Sequence, residues 1–167
     1  MNYAVVTSSR TGNTKQLANV IQEVLRETNM IDVREEGKEV QNADILFVGF
    51  WTDKGTCSEE VKKLLHTLEG KKIFLFGTAG FGQSQTYFAQ IIERVKKEIP
   101  QSNQVIGSYM CQGKMPITVR ERYIKLQKED PTNKQYEKLI QNFDTALSHP
   151  DQQDLEGIRK KVLEIVK

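Results

Sequence analysis

Two short stretches, Ile45 to Phe50 (ILFVGF) and Lys72 to Phe76 (KIFLF), are nearly unbroken apolar runs. A strand with one wet face alternates polar and apolar residues. A run that is apolar almost throughout needs cover on both faces, as parallel strands between two helical layers have. Both runs are therefore read as interior strands. Further strand-like runs lie at Tyr3 to Thr7, Ile31 to Arg34 and Gln104 to Met110. Helices are expected at Asn13 to Thr28, Ser58 to Leu68, Gln85 to Glu98, Ile117 to Lys128, Asn133 to Ser148 and Asp151 to Val166. Strands alternating with helices point to an α/β sheet.

A chain of 167 residues is most simply one domain, long enough to bury a core without metals or disulfides. Lys plus Arg (24) and Asp plus Glu (22) nearly cancel, leaving +2, so charge alone identifies no partner. No apolar run approaches the roughly 18 residues of a membrane helix. The expectation is a cytoplasmic protein with neither membrane nor nucleic acid as partner, working as a monomer or weak dimer. Cys57 and Cys111 stand far apart with no ligand spacing around them, which supports neither a zinc site nor a disulfide. They are read as reduced, space-filling residues, and no metal site is expected. His66 and His149 are isolated and read as surface or rim positions. Near the end, Leu155, Ile158, Val162, Leu163 and Val166 recur at helical spacing, which predicts a docked helix.

Loops that leave the carboxyl ends of parallel strands emerge at one sheet edge, where ligands collect. Three such loops are informative. The first, Thr7 to Thr14 (TSSRTGNT), joins a strand pattern to a helix pattern. Helix-start N–H groups lack intrahelical partners and the helix dipole favours an anion, so this hydroxyl-rich loop is a phosphate cradle. The second, Phe50 to Gly55, carries Trp51, the chain's single tryptophan. The third, Gly77 to Ser84, is glycine-rich and is followed by Tyr87. Its GxxGxG order after the fourth strand is not the GxGxxG that follows the first strand of a nicotinamide-binding domain.

Val5, Val6, Ser9, Gly12, Thr14, Ala18 and Ile21 fall at the spacing of the flavodoxin family's phosphate loop, and the chain resembles that family. Thr7 departs from the pattern, standing where the family usually has an aromatic residue. The resemblance implies a three-layer sandwich, a five-stranded parallel sheet in order 2-1-3-4-5 with helices on both faces, and one bound FMN; flavodoxin is the standard example of that strand order and ligand. The resemblance in fold pattern covers about residues 1–148, and the chain is read as a single domain over residues 1–167, with 149–167 a C-terminal helical extension. Carried across, Ser9, Arg10, Thr11, Gly12, Asn13 and Thr14 hold the FMN phosphate, with Arg10 either bonded to it or turned to solvent. Trp51 stacks on the isoalloxazine, and Thr52, Asp53, Lys54 and Gly55 face its N5 edge. Thr78, Ala79, Gly80, Phe81 and Gly82 supply backbone hydrogen bonds to the pyrimidine edge, and Phe81 or Tyr87 covers the other ring face.

The activity implied is electron transfer between a reductase and a partner enzyme by surface docking, with no catalytic residues of its own. Two other readings stay open: a flavin oxidoreductase acting directly on a small acceptor such as a quinone, and a regulatory domain that binds no cofactor. The family's usual acidic docking surface is missing here. Lys114, Arg120 and Arg122 follow the fifth strand and are read either as a solvated basic helix face or as cations near the flavin edge that steer an acidic partner or an anionic substrate. The resemblance extends to flavodoxin-like accessory proteins encoded beside reductases of anaerobes, including those acting on bile pigments. Low-molecular-weight phosphatase chemistry is excluded because the first loop has no cysteine. Receiver-type phosphotransfer is disfavoured because that loop has no acidic pair.

Overall fold

A computed structural model describes residues 1–26, 30–33, 37–82 and 84–166. Five strands, β1 (Tyr3–Thr7), β2 (Met30–Asp32), β3 (Ile45–Trp51), β4 (Lys72–Ala79) and β5 (Gln104–Gln112), form one parallel sheet in the order β2-β1-β3-β4-β5. Seven helices accompany them among the described residues. These are α1 (Asn13–Leu25), α2 (Lys38–Asn42), α3 (Glu59–His66), α4 (Gln85–Lys96), α5 (Ile117–Glu129), α6 (Gln135–Ala146) and α7 (Gln152–Ile165). The strand order and the double helical cover agree with the sequence reading.

The continuous apolar runs became the buried centre of the sheet. Leu46, Val48, Phe50, Ile73 and Leu75 face Val61, Leu65, Ile91 and Val95 of α3 and α4, while Phe47, Phe74 and Phe76 face Leu17, Ile21, Ile158 and Val162 of α1 and α7. Ile158 and Val162 are fully buried, each stabilising the fold by about 2 kcal/mol. α7 thus completes the helical layer beside α1, and an Arg159–Glu23 contact of 2.8 Å joins the two helices. Leu163, expected on the buried side, is 46% exposed, one position off the stripe through Ile158 and Val162.

β4 runs three residues beyond its expected end at Phe76, so Gly77, Thr78 and Ala79 are ladder residues and not loop. A reciprocal exchange explains this. Gly49 lies opposite Phe76, and Phe50 opposite Gly77. A Cβ on Gly49 would fall 2.4 Å from the Phe76 ring, and one on Gly77 2.6 Å from the Phe50 ring. Each phenylalanine spreads over its neighbour's glycine on opposite faces of the sheet, so a residue that reads as a turn signal is a packing notch. β5 likewise extends past Met110 to Gln112, paired with Ala79. β2 starts at Met30, opposite Val5, one residue before expectation. Thr28 and Arg34, the expected ends of α1 and β2, and Gln83 of the third loop lie outside the described residues. The five-residue α2, which buries Val40, was not anticipated; it is too short to display helical periodicity.

α5 and α6 form a hairpin between β5 and α7, burying Tyr123, Phe143 and Ala146. No described helix is long and apolar enough to cross a membrane.

Candidate functional site

The first loop delivers α1 with an open amino end. Its N-cap, Gly12, has φ 86°, no side chain caps the helix, and the first turn holds no acidic residue. The first-turn N–H groups that a cap normally satisfies are therefore left for an outside acceptor. Ser9 Oγ accepts the Gly12 N–H at 3.1 Å and closes the loop. Asn13 donates from Nδ2 to the Lys114 carbonyl at 2.8 Å, tying α1 to the segment after β5. Thr14 is fully buried; its hydroxyl donates to the Phe50 carbonyl and lies 3.1 Å from the Thr78 hydroxyl. Two buried polar atoms here, Thr7 Oγ1 and Asn13 Oδ1, have no partner among the described residues. An unpaired buried polar atom costs about 1–3 kcal/mol, which a ligand bearing donors and acceptors offsets.

The second loop is a closed turn. Asp53 and Thr56 exchange both backbone hydrogen bonds, at 2.7 and 3.1 Å, around Lys54 (φ 51°) and Gly55 (φ 82°). Positive φ at both central residues makes it the primed turn of tight hairpins. Thr52 anchors its base through N–H and Oγ1, both donating to the Thr78 carbonyl at 2.9 Å. Arg94 of α4 donates to the Gly55 carbonyl at 3.1 Å. Three hydrogen bonds, two between Asp53 and Thr56 and one from Arg94, thus hold this turn in place. Trp51, at the end of β3, carries the Arg10 guanidinium 5.5 Å from its ring centroid. Arg10 is stacked on the indole, an arrangement the sequence reading did not consider.

All three loops open onto one cavity of about 330 Å³. Arg10, Thr11 and Asn13 of the first loop, Trp51 to Gly55 of the second, Thr78 to Phe81 of the third, and Tyr87 line it. Ser9, Gly12, Thr14 and Gly82 are not among its lining residues. Phe81 is 42% exposed, whereas Tyr87, held in the first turn of α4 by a bond from its N–H to Ser84 Oγ, is half-buried. The segment after β5 forms a fourth wall, where Gly113, Met115, Pro116 and Val119, given no role in the sequence reading, join Lys114. The signal was available, since β5 is also parallel and its following loop must leave at the same edge. Arg120 and Arg122, placed there with Lys114 by one of the two readings, do not line the cavity. Arg120 pairs with Asp144 of α6 at 2.8 Å, and Arg122 lies over the Tyr123 ring. The hairpin partner α6 draws Arg120 away.

Size alone would choose a different hollow. One of about 530 Å³ runs along β5 between α4 and α7, but none of the three loops lines it. Cys57 and Cys111 are buried, and burial pushes both thiols upward, away from reactive thiolates.

The chain matches the family model described as flavodoxin domain over residues 4–163. It belongs to the flavodoxin family. Its relatives include the flavodoxin-like domain-containing protein BilS of Clostridioides difficile (strain CD3), 38% identical over 159 residues, covering 93% of this chain and 90% of the relative. Among solved structures, a flavodoxin of Streptococcus pneumoniae TIGR4 superposes with a TM-score of 0.60 at 16% identity, covering 99% of this chain and 97% of the other. A flavoprotein from Lactobacillus acidophilus NCFM in complex with FMN superposes with a TM-score of 0.52 at 15% identity, covering 66% of this chain and 93% of that one. At such identities the structural likeness concerns the fold. As a flavodoxin, this chain places its three loops around the cavity at the carboxyl edge of the sheet.

Proposed function

We propose that this chain is a cytoplasmic FMN-binding electron carrier that accepts electrons from a reductase and passes them to a partner enzyme. FMN is the cofactor: the uncapped start of α1 suits its phosphate, and the unpaired Thr7 and Asn13 oxygens suit hydroxyl and phosphate partners. When bound, FMN supplies one- and two-electron redox chemistry. The chain's own residues bind and tune it. Ser9 and Gly12 shape the phosphate loop, Trp51 offers a flat apolar face, and the Asp53–Thr56 turn fixes backbone dipoles at one edge.

The observation that carries this reading is the convergence of the open helix start, Trp51 and the glycine-rich loop on one cavity whose only lining carboxylate among the described residues is Asp53. Among the described residues that lining brings no two carboxylates together for acid–base chemistry. Exposed Lys54 and Lys114 at the mouth, without ion-pair partners among the described residues, suit an acidic docking face. The test is purification followed by titration with FMN and riboflavin. Expected are a yellow protein that releases FMN, at least tenfold tighter binding of FMN than of riboflavin, and no turnover of NAD(P)H with quinone by the protein alone. Rapid turnover without a partner would replace the carrier by an oxidoreductase, and failure to bind FMN would remove the redox role.

A further inference from the structure

The glycine-rich loop is held from behind by two side chains that do not line the flavin cavity. The Gly80 carbonyl accepts hydrogen bonds from Gln112 Nε2 at 2.9 Å and from Asn142 Nδ2 at 3.1 Å, and Gln112 Nε2 also donates to Asn142 Oδ1 at 3.0 Å. Gln112 ends β5 and is 3% exposed; Asn142 lies on α6, next to fully buried Phe143. One peptide of the loop is thus gripped by the sheet and by the helical hairpin together.

Geometry then dictates what that peptide shows to the other side. The Gly80–Phe81 bond is trans, since His149–Pro150 is the one cis bond among the described residues, and a trans peptide directs its N–H opposite to its C=O. With the carbonyl drawn toward Gln112 and Asn142, the Phe81 N–H is turned away from them, and it has no partner among the described residues. Gly80 and Phe81 both line the cavity, whereas Gln112 and Asn142 do not. Were the peptide reversed, it would present a carbonyl oxygen to the carbonyl-rich pyrimidine edge of the flavin, an unfavourable pairing.

We propose that Asn142, acting with Gln112, is a positioning residue for the flavin, locking the Gly80–Phe81 peptide so that the Phe81 N–H is presented to the pyrimidine edge. The inference rests on the FMN reading above and extends the site to α6, 62 residues from Gly80 in sequence. A fixed N–H helps the reduced cofactor more than the oxidised one, because reduction adds negative charge and a charge-assisted hydrogen bond is about twice as strong as a neutral one. Asn142 therefore raises the reduction potential without touching the cofactor.

The test uses the full FMN-loaded chain and two variants. Asn142→Leu removes donor and acceptor at similar volume. Asn142→Asp keeps the shape but cannot donate to Gly80, and serves if the leucine variant fails to fold. Reduced FMN is expected to lose about tenfold more affinity than oxidised FMN, equivalent to a midpoint potential about 30 mV more negative for the two-electron couple. The Phe81 amide proton, shifted downfield by FMN in the wild type, loses that shift, while the preference for FMN over riboflavin stays constant. An unchanged potential and Phe81 shift in a folded, loaded variant overturn the proposal, as does an equal loss of affinity in both oxidation states. A wild-type chain that takes up no FMN overturns the underlying reading of the site instead.

Discussion

Two helices of this protein begin in opposite ways. α7 starts with a complete capping box: Asp151 accepts the Asp154 N–H at 2.9 Å and Asp154 accepts the Asp151 N–H at 2.8 Å, with His149 Nδ1 a further 2.7 Å from Asp154. His149, Asp151 and Asp154 have cation-ligand spacing, yet both carboxylates already serve the helix start. α1 starts on a left-handed glycine with no cap and no acidic residue in its first turn. The helix that only builds the fold satisfies its own amino end. The helix that faces the cavity leaves its end open, and a cap there, worth about 1 kcal/mol elsewhere, is absent. α2, α3, α5 and α6 also start without a side-chain cap, so what singles out α1 among the described helices is its left-handed glycine at the edge where the cavity opens.

The largest effect is expected from erasing that contrast at α1. Gly12→Asp puts a carboxylate at the helix start proposed to hold the FMN phosphate; a Cβ at Gly12 meets nothing within 4 Å, and Asp tolerates the left-handed backbone better than most residues. FMN affinity should fall about 100-fold, near 2.7 kcal/mol, while riboflavin affinity changes little. Flavin fluorescence titration reads both, and an equal loss for the two ligands would detach the phosphate from α1. Next, Asp151→Ala should cost about 1 kcal/mol of stability in urea denaturation and leave FMN affinity intact. A change in FMN binding would show that the two helix starts are not independent.

The same contrast has a pH signature. The Asp154 N–H bonded to Asp151, followed by nearby His149, holds the Asp151 carboxyl below its ordinary value of 3.8. A depressed carboxylate contributes stability that is full above the ordinary value and fades as pH falls through the lower, folded one. Wild-type stability should therefore decline more steeply below about pH 4 than that of Asp151→Ala, measured by urea midpoints across the acid range. The smallest effect concerns docking: Lys54→Gln with Lys114→Gln should slow oxidation of the reduced protein by ferricyanide a few-fold at low salt, and the difference should vanish at about 0.5 M salt. A rate insensitive to salt would remove the cationic mouth from partner choice.

The sheet was legible because Ile45–Phe50 and Lys72–Phe76 signal double-sided burial from composition alone, and the place of the first loop at the cavity because it sits between a strand and a helix pattern. What escaped depended on partners distant in sequence. Gly77 reads as a turn until Phe50 is known to lie over it. The wall from Gly113 to Val119 has no motif of its own, and Arg120 takes its direction from Asp144 on the neighbouring helix. Asn142 is an ordinary polar residue on a helix until Gly80 and Gln112 arrive beside it.

The pairing of α1 with α7 has a bearing on biosynthesis. Leu17 and Ile21 share one apolar cluster with Ile158 and Val162, which are synthesised much later, after every strand of the sheet. The nascent chain can finish its sheet before α7 arrives to seat α1, so the loop between β1 and α1 becomes firm only after that.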